Sequence, residues 1–130
     1  MKTENARTPA EIVAAVTGAP ALRHAVAVYV PSTYRDKPAP AEAVEEAVAY
    51  TLREMSALFG GATAYTARGA WIDAHGALIE EAVTVCRSFA AAVTDDDAAA
   101  VAEIAARIRE AMRQDAVTIE IDGAAGFIAG

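Results

Sequence analysis

With 130 residues, 11 basic side chains against 18 acidic ones and a net charge of −7, the chain is sized for one compact domain and is too short for two. The acidic balance argues against a nucleic-acid polymer or an anionic membrane surface as main partner, since both recruit basic proteins. Apolar residues make up 55% of the chain, but 35 residues are alanine. Each buried side chain therefore adds little to the core, and a homodimer or higher homo-oligomer is the expected way to complete it.

Cys86 stands alone, so no internal disulfide is expected, and no Cys/His cluster has zinc spacing. A reducing, cytoplasmic setting follows as the expectation, with no metal and no cofactor. No apolar run reaches the roughly 18 to 20 residues of a membrane span. Lys2 and Arg7 ahead of Ile12-Val13-Ala14-Ala15-Val16 resemble a secretion signal, but Glu4 and Glu11 interrupt it. Thr8-Pro9-Ala10-Glu11 reads instead as a capping box with proline at the first helical position.

In chain order, a tail over Met1–Arg7 precedes a short helix from Pro9 to Thr17, stopped by Gly18 and kept stopped by Pro20. Leu22 to Val30 alternates as a strand, with Val26, Val28 and Val30 on one face and Ala25, Ala27 and Tyr29 on the other. Pro31 to Pro40 is a linker rich in turn formers, the longest irregular stretch and hence a candidate functional loop. From Ala41 to Phe59 the spacing predicts a helix whose apolar stripe is Val44, Val48, Leu52, Met55 and Phe59, ended by Gly60-Gly61. Ala62 to Ile72 is a strand with a bulge expected at Gly69. A turn at Asp73-Ala74-His75-Gly76 returns it as a strand from Leu78 to Phe89. Thr94 caps a helix running to about Arg113, with Asp95, Asp96 and Asp97 at the positive end of its dipole and Val101, Ile104, Ile108 and Met112 as its buried stripe. Val117, Ile119 and Ile121 mark the next strand, and Asp122-Gly123 turns into a short tail strand ending at Ile128.

After the first helix the order is β-α-β-β-α-β, the split pattern of a ferredoxin-like α+β fold: a four-stranded antiparallel sheet with two helices on one face, plus the N-terminal helix. Residues 1–20 form the tail and short helix, and 21–130 a single domain. The open face of the sheet is expected to carry Ala25, Ala27, Tyr29, Thr84, Cys86, Ser88, Thr118 and Glu120, and to meet a second copy.

No catalytic constellation emerges. Gly60-Gly61 follows a helix, the reverse of a dinucleotide loop; no serine sits in a nucleophile elbow; His24 and His75 lack partners at metal spacing. Binding is better supported. Arg68, Trp71, Arg87, Phe89, Arg109 and Arg113 stand out in an acidic chain. Arg87 and Phe89 project the same way at one strand end, a cation beside an aromatic plate, which suits a purine or a phosphate.

The motifs Val28-Tyr29-Val30-Pro31-Ser32-Thr33, Leu58-Phe59-Gly60-Gly61-Ala62-Thr63, Gly69-Ala70-Trp71, Val83-Thr84-Val85-Cys86 with Ser88-Phe89, and Gln114-Asp115-Ala116-Val117 together resemble the first-described family of phage Thoeris anti-defence sponges, over about Val26 to Gly123. That resemblance implies a phage protein that captures, without catalysis, a cyclic ADP-ribose isomer or a related cyclic dinucleotide used as an immune signal. It implies homo-oligomers with ligand at subunit boundaries, Phe89 stacking the base, and Arg113 and Arg68 clamping the pyrophosphate. Asp95 and Asp96 would meet base or ribose. With Arg87, Arg109 and Trp71 these form the expected ligand-binding set. The layout also resembles small bacterial proteins of unknown function. Alternative readings are a small dimeric ferredoxin-like enzyme, an isomerase or monooxygenase using His24 or His75, and a domain whose role is oligomerisation.

Overall fold

The structure is a computed structural model that describes residues 6–35 and 37–130. The first five residues of the expected tail, Lys2 and Glu4 among them, lie outside the described residues, as does Asp36 of the linker. Among the described residues ten elements follow one another: α1 (Pro9–Thr17), β1 (His24–Pro31), β2 (Thr33–Tyr34), β3 (Lys37–Pro38), α2 (Ala41–Phe59), β4 (Thr63–Ile72), β5 (Leu78–Ala90), α3 (Asp95–Ala111), β6 (Ala116–Ile121) and β7 (Ala124–Ala129).

Local signals set the boundaries. The Thr8 capping box closes with both of its reciprocal bonds, Glu11 N–H to Thr8 Oγ1 and Thr8 N–H to Glu11 Oε1, each at 3.2 Å. Thr94 caps α3 in the same way, with Asp97 in the acid's place. The β6–β7 turn places both Asp122 (φ 52°) and Gly123 (φ 82°) in the left-handed region, the two-residue turn whose twist matches a hairpin. Helix α3 ends at Ala111 rather than Arg113, because Arg113 itself turns left-handed at φ 55°.

The main sheet runs β4-β5-β1-β6-β7, every pairing antiparallel. Its first four strands stand in the ferredoxin-like arrangement, with the earliest strand between the last two long ones. The fifth, β7, corrects the four-strand expectation: Ile121↔Ala124 through Ala116↔Ala129 pair continuously, so the tail strand joins the sheet as an edge. The expected bulge at Gly69 is absent. Thr63↔Arg87 through Ile72↔Leu78 keep one register, and Gly69 pairs with Glu81 like any strand residue. The linker is not irregular throughout either, since β2 and β3 pair as a small hairpin.

Helices α2 and α3 cover one face. Val26, Val28 and Val30 meet Met55 of α2 and Val101, Ile104, Ala105, Ile108 and Met112 of α3 in a single core. The stripe expected on α3 is buried in full. On α2 the buried line is Ala47-Thr51-Met55, with Val44, Val48, Leu52 and Phe59 only half-buried. The helix is rotated by about one residue from the apolar stripe; Thr51 is tolerated in the core because its hydroxyl donates to Ala47 O at 2.7 Å. Helix α1 buries no residue.

The largest departure lies in β5. Register pairs Val26 with Ser88 and Val28 with Cys86, and directly paired residues project to the same face. Thr84, Cys86 and Ser88 therefore sit under the helices, Cys86 and Ser88 essentially inaccessible. Val83, Val85, Arg87 and Phe89 occupy the open face instead, the reverse of the expectation. A slip of one residue in parity exchanges every side chain of a strand between faces. The sequence signal was ambiguous here because Val83 and Val85 are as apolar as a core strand requires.

Two measurements check this core. Met55→Ala removes a fully buried side chain where α2 meets the sheet, and should lower stability by about 3 kcal/mol in chemical denaturation. Burial pushes the Cys86 thiol up to about 11, so it should stay inert to a disulfide reagent at pH 8 in the native protein and react stoichiometrically once unfolded.

Candidate functional site on the open sheet face

Register alone builds a row across the open face. Thr63 pairs with Arg87, Arg87 with Ala27, Ala27 with Glu120, and Glu120 with Ala125. Arg87 and Glu120 thus flank the methyl group of Ala27, their backbones about 10 Å apart at two strand spacings. The next row sets Tyr65, Val85 and Tyr29 side by side. Ala27 and Val85 are buried although no helix covers them, so the longer polar and aromatic side chains lie over them as a floor.

Chemistry concentrates there. The Tyr29 hydroxyl donates to Glu120 Oε1 at 2.8 Å, and this bond, aided by partial burial, raises the Tyr29 phenol above its ordinary range. The Arg87 Nε is buried without a hydrogen-bond partner, and Arg87 makes no ion pair among the described residues. A half-buried guanidinium with unused donors is costly unless something anionic meets it. Around this centre stand exposed rings: Tyr65 at 44%, Phe89 at 53% and Phe127 at 73% of full exposure. One face thus offers a carboxylate for a cation, a guanidinium for an anion and rings for a planar base. Glu81, half-buried, accepts from the Thr33 hydroxyl at 2.9 Å and ties the linker to this face.

The eight residues expected to bind ligand do not form one cluster. Phe89 and Arg87 share the open face, and Trp71 lies on it toward the hairpin end, opposite Ile79. Arg68 sits on the same hairpin but pairs opposite Ala82, on the other face, and reaches Glu80 at 3.4 Å. Asp95 and Asp96 begin α3 while Arg109 and Arg113 lie at its end, about 25 Å away along the axis. Arg113 stacks on the Tyr34 ring at 4.3 Å. Arg109 packs its guanidinium against Gly130.

Tyr29 and Glu120 were both legible as open-face residues. What the sequence did not supply was their juxtaposition with Arg87, which depends on the parity of β5. Tyr65 carries no local signal at all; only its pairing with Val85 brings it in.

His24 finds a partner across 98 residues: Nδ1 lies 2.6 Å from Asp122 Oδ2. Asp122 Oδ1 also accepts the Ala25 N–H at 2.8 Å. His75 remains a turn residue whose N–H donates to Asp73. Among the described residues no group of three or more His, Cys, Asp or Glu side chains is placed to hold a metal, and no helix is long and apolar enough to cross a membrane.

Fold and face together define a class: a ferredoxin-like α+β protein whose uncovered sheet face suits a small ligand bearing both charges and a ring. Comparison with solved structures bears on the fold. A phage SAM lyase in complex with S-methyl-5′-thioadenosine superposes with a TM-score of 0.61 at 20% identity, over 82% of this chain and 89% of that one. A phage SAM lyase in its apo state gives 0.58 at 18% identity, over 82% and 89%. CutA of Pyrococcus horikoshii gives 0.45 at 19%, over 78% and 83%. No protein-family model matches the chain and no curated sequence matches it. The expectation that the chain is not an enzyme is corrected by the first two neighbours, which are enzymes; the absence of a catalytic motif in the sequence had argued the other way.

The His24–Asp122 pair carries its own test. The hydrogen bond from His24, with that from the Ala25 N–H, holds the Asp122 carboxyl below its ordinary 3.8. A depressed carboxyl stabilises the fold above its unfolded pKa, and that contribution is lost as pH falls through the folded one. Asp122→Asn should therefore flatten the loss of stability below pH 3.8, measured by urea midpoints at a series of acid pH values.

Proposed function

We propose that this chain is a small-molecule enzyme that cleaves an adenosyl sulfonium, S-adenosylmethionine being the substrate class, and that its reaction centre is the open-face group of Tyr29, Tyr65, Arg87 and Glu120. The observation that carries this reading is the unpaired Arg87 set across Ala27 from the Tyr29–Glu120 pair, on a sheet that superposes on a SAM lyase. The substrate carries a sulfonium, an α-carboxylate and an adenine. Glu120 with the tyrosine rings suits the cation, Arg87 the carboxylate, and Phe89, two residues along the same strand, the base.

The molecule in the neighbour's complex suggests which bond is at issue. S-methyl-5′-thioadenosine keeps the methyl and ribose carbons on sulfur, so the third bond, to Cγ of the aminobutyrate chain, is the one that breaks. Its electron pair stays on sulfur, which becomes a neutral thioether. The remaining fragment either closes on itself through its own carboxylate or loses a Cβ proton to give an alkene. The Tyr29–Glu120 pair is the base at hand for the second route, and Arg87 orients the carboxylate for the first.

The face is shallow, and a second copy laid on it would provide the wall that excludes water, in keeping with the homo-oligomer expected from the alanine-rich core. Consumption of a host metabolite would serve a phage against its host as capture of a cyclic ADP-ribose isomer would: each removes a small adenine compound.

Incubating purified protein with S-adenosylmethionine and following the mixture by liquid chromatography and mass spectrometry tests this. S-methyl-5′-thioadenosine should accumulate over many turnovers, and Glu120→Gln should slow it on the order of a hundredfold with an unchanged melting temperature. The co-product identifies the route, a lactone for internal closure and vinylglycine for elimination. Substrate recovered intact at full yield would overturn the proposal. Depletion of a cyclic ADP-ribose isomer followed by its intact release on heating would restore capture as the function.

A further inference from the structure

A second candidate site lies on the opposite side of the molecule, in the groove between α2 and α3. It encloses about 450 Å³, within the range of small-molecule sites. Its floor is apolar, formed by the buried Ile108 and Met112. Its walls are two tyrosines, Tyr34 and Tyr50, and three charged residues, Glu46, Arg53 and Arg107.

The groove exists because the chain leaves it unfilled. Above that floor the facing positions are small, Ala43 and Ala47 on one helix and Ala111 on the other, so no side chain fills the space over Ile108 and Met112. Tyr34 is held at the groove by the linker: Gln114 Nε2 donates to Thr33 O at 2.7 Å, and Arg113 stacks on the Tyr34 ring.

Charge in the groove is arranged by position. Glu46, Tyr50 and Arg53 fall at i, i+4 and i+7 of α2, one face of the helix, with the carboxylate and the guanidinium roughly 10 Å apart along the axis. Arg53 lies over the Tyr50 ring at 5.8 Å and makes no ion pair among the described residues. Arg107 spends its Nε on Glu103 at 3.1 Å, leaving its other two nitrogens free to meet an anion. Arg53 and Arg107 both line the groove beside Tyr50 and share that end of it, with the carboxylates of Glu54 and Glu103 also close to the ring. A ligand matched to this order has a hydrogen-bond donor at one end, a planar ring over an apolar floor between two phenols, and an anion at the other.

We infer that this groove is a binding site for a nucleoside monophosphate, distinct from the open-face centre: exocyclic amine on Glu46, base between Tyr34 and Tyr50, phosphate forked by Arg53 and Arg107. A bidentate guanidinium–phosphate contact supplies most of the selectivity for the charged form.

Amide chemical-shift titrations of the 15N-labelled protein with AMP, adenosine and inorganic phosphate test it. AMP should shift amides of Ala47, Tyr50 and Ile108, with adenosine and phosphate each at least tenfold weaker. The double variant Arg53→Gln, Arg107→Gln should weaken AMP at least tenfold at an unchanged melting temperature, while Glu120→Gln on the far face should leave these shifts as they are. Shifts confined to the open face, no shifts at all, phosphate binding as well as AMP, or a double variant that binds normally would each overturn the inference. Because the two sites are read from different amides, failure of the groove and failure of the open-face proposal are separable.

Discussion

The pairing of β5 against β1 is the constraint from which the rest follows. Val28 opposite Cys86 and Ala27 opposite Arg87 decide at once which residues fill the core and which face solvent. With this register the core accepts a thiol and a serine hydroxyl, the latter satisfied by donating to Gly61 O at 2.7 Å. Two valines, an arginine and a phenylalanine go to the open sheet face in exchange, where Val85 is still buried beneath its longer neighbours. That exchange sacrifices apolar burial, and what it gains is an arginine, a glutamate and two tyrosines on neighbouring positions of four strands.

Much of the architecture was legible in the sequence because it rests on local chemistry. The capping box at Thr8, the capping threonine at Thr94, the glycine stops and the Asp122-Gly123 turn each determine backbone geometry within a few residues, and the elements they bound are found close to where they were read. The stripe of α3 was legible because its large residues recur on one face. That of α2 was not, since alanine and threonine take the buried line and valine and leucine the flanks. For the site, Phe89 and Arg87 were rightly seen to project together, and Tyr29 and Glu120 to share a face. Joining the two pairs required knowing which face, and no pattern within Leu78–Ala90 decides between valine-in and cysteine-in.

The linker after β1 takes part on both sides of the molecule. Ser32 donates to Ala82 O at 2.6 Å, Thr33 to Glu81, and the next residue, Tyr34, turns into the helical groove beneath Arg113. Arg35 adds an exposed pair with Asp115 at 3.2 Å, worth little by itself. Consecutive residues of one short segment therefore touch the open sheet face and the α2–α3 groove. The stretch read as a candidate functional loop is a clasp between the two layers rather than a free excursion.

The central place of β1 also governs how the chain reaches this state. Its neighbours β5 and β6 lie more than fifty residues further on, so none of its ladder can form locally. Sheets dominated by such distant pairings fold in milliseconds to seconds rather than microseconds. On the ribosome the interval is longer still: at roughly 5 to 20 residues per second, β1 waits several seconds for its partners to be made. Throughout that wait the run Val26-Ala27-Val28-Tyr29-Val30 has no native cover, and it carries no charge to discourage association. The quality of the folded product is thus set in part by translation speed and chaperone capacity in the cell that makes it.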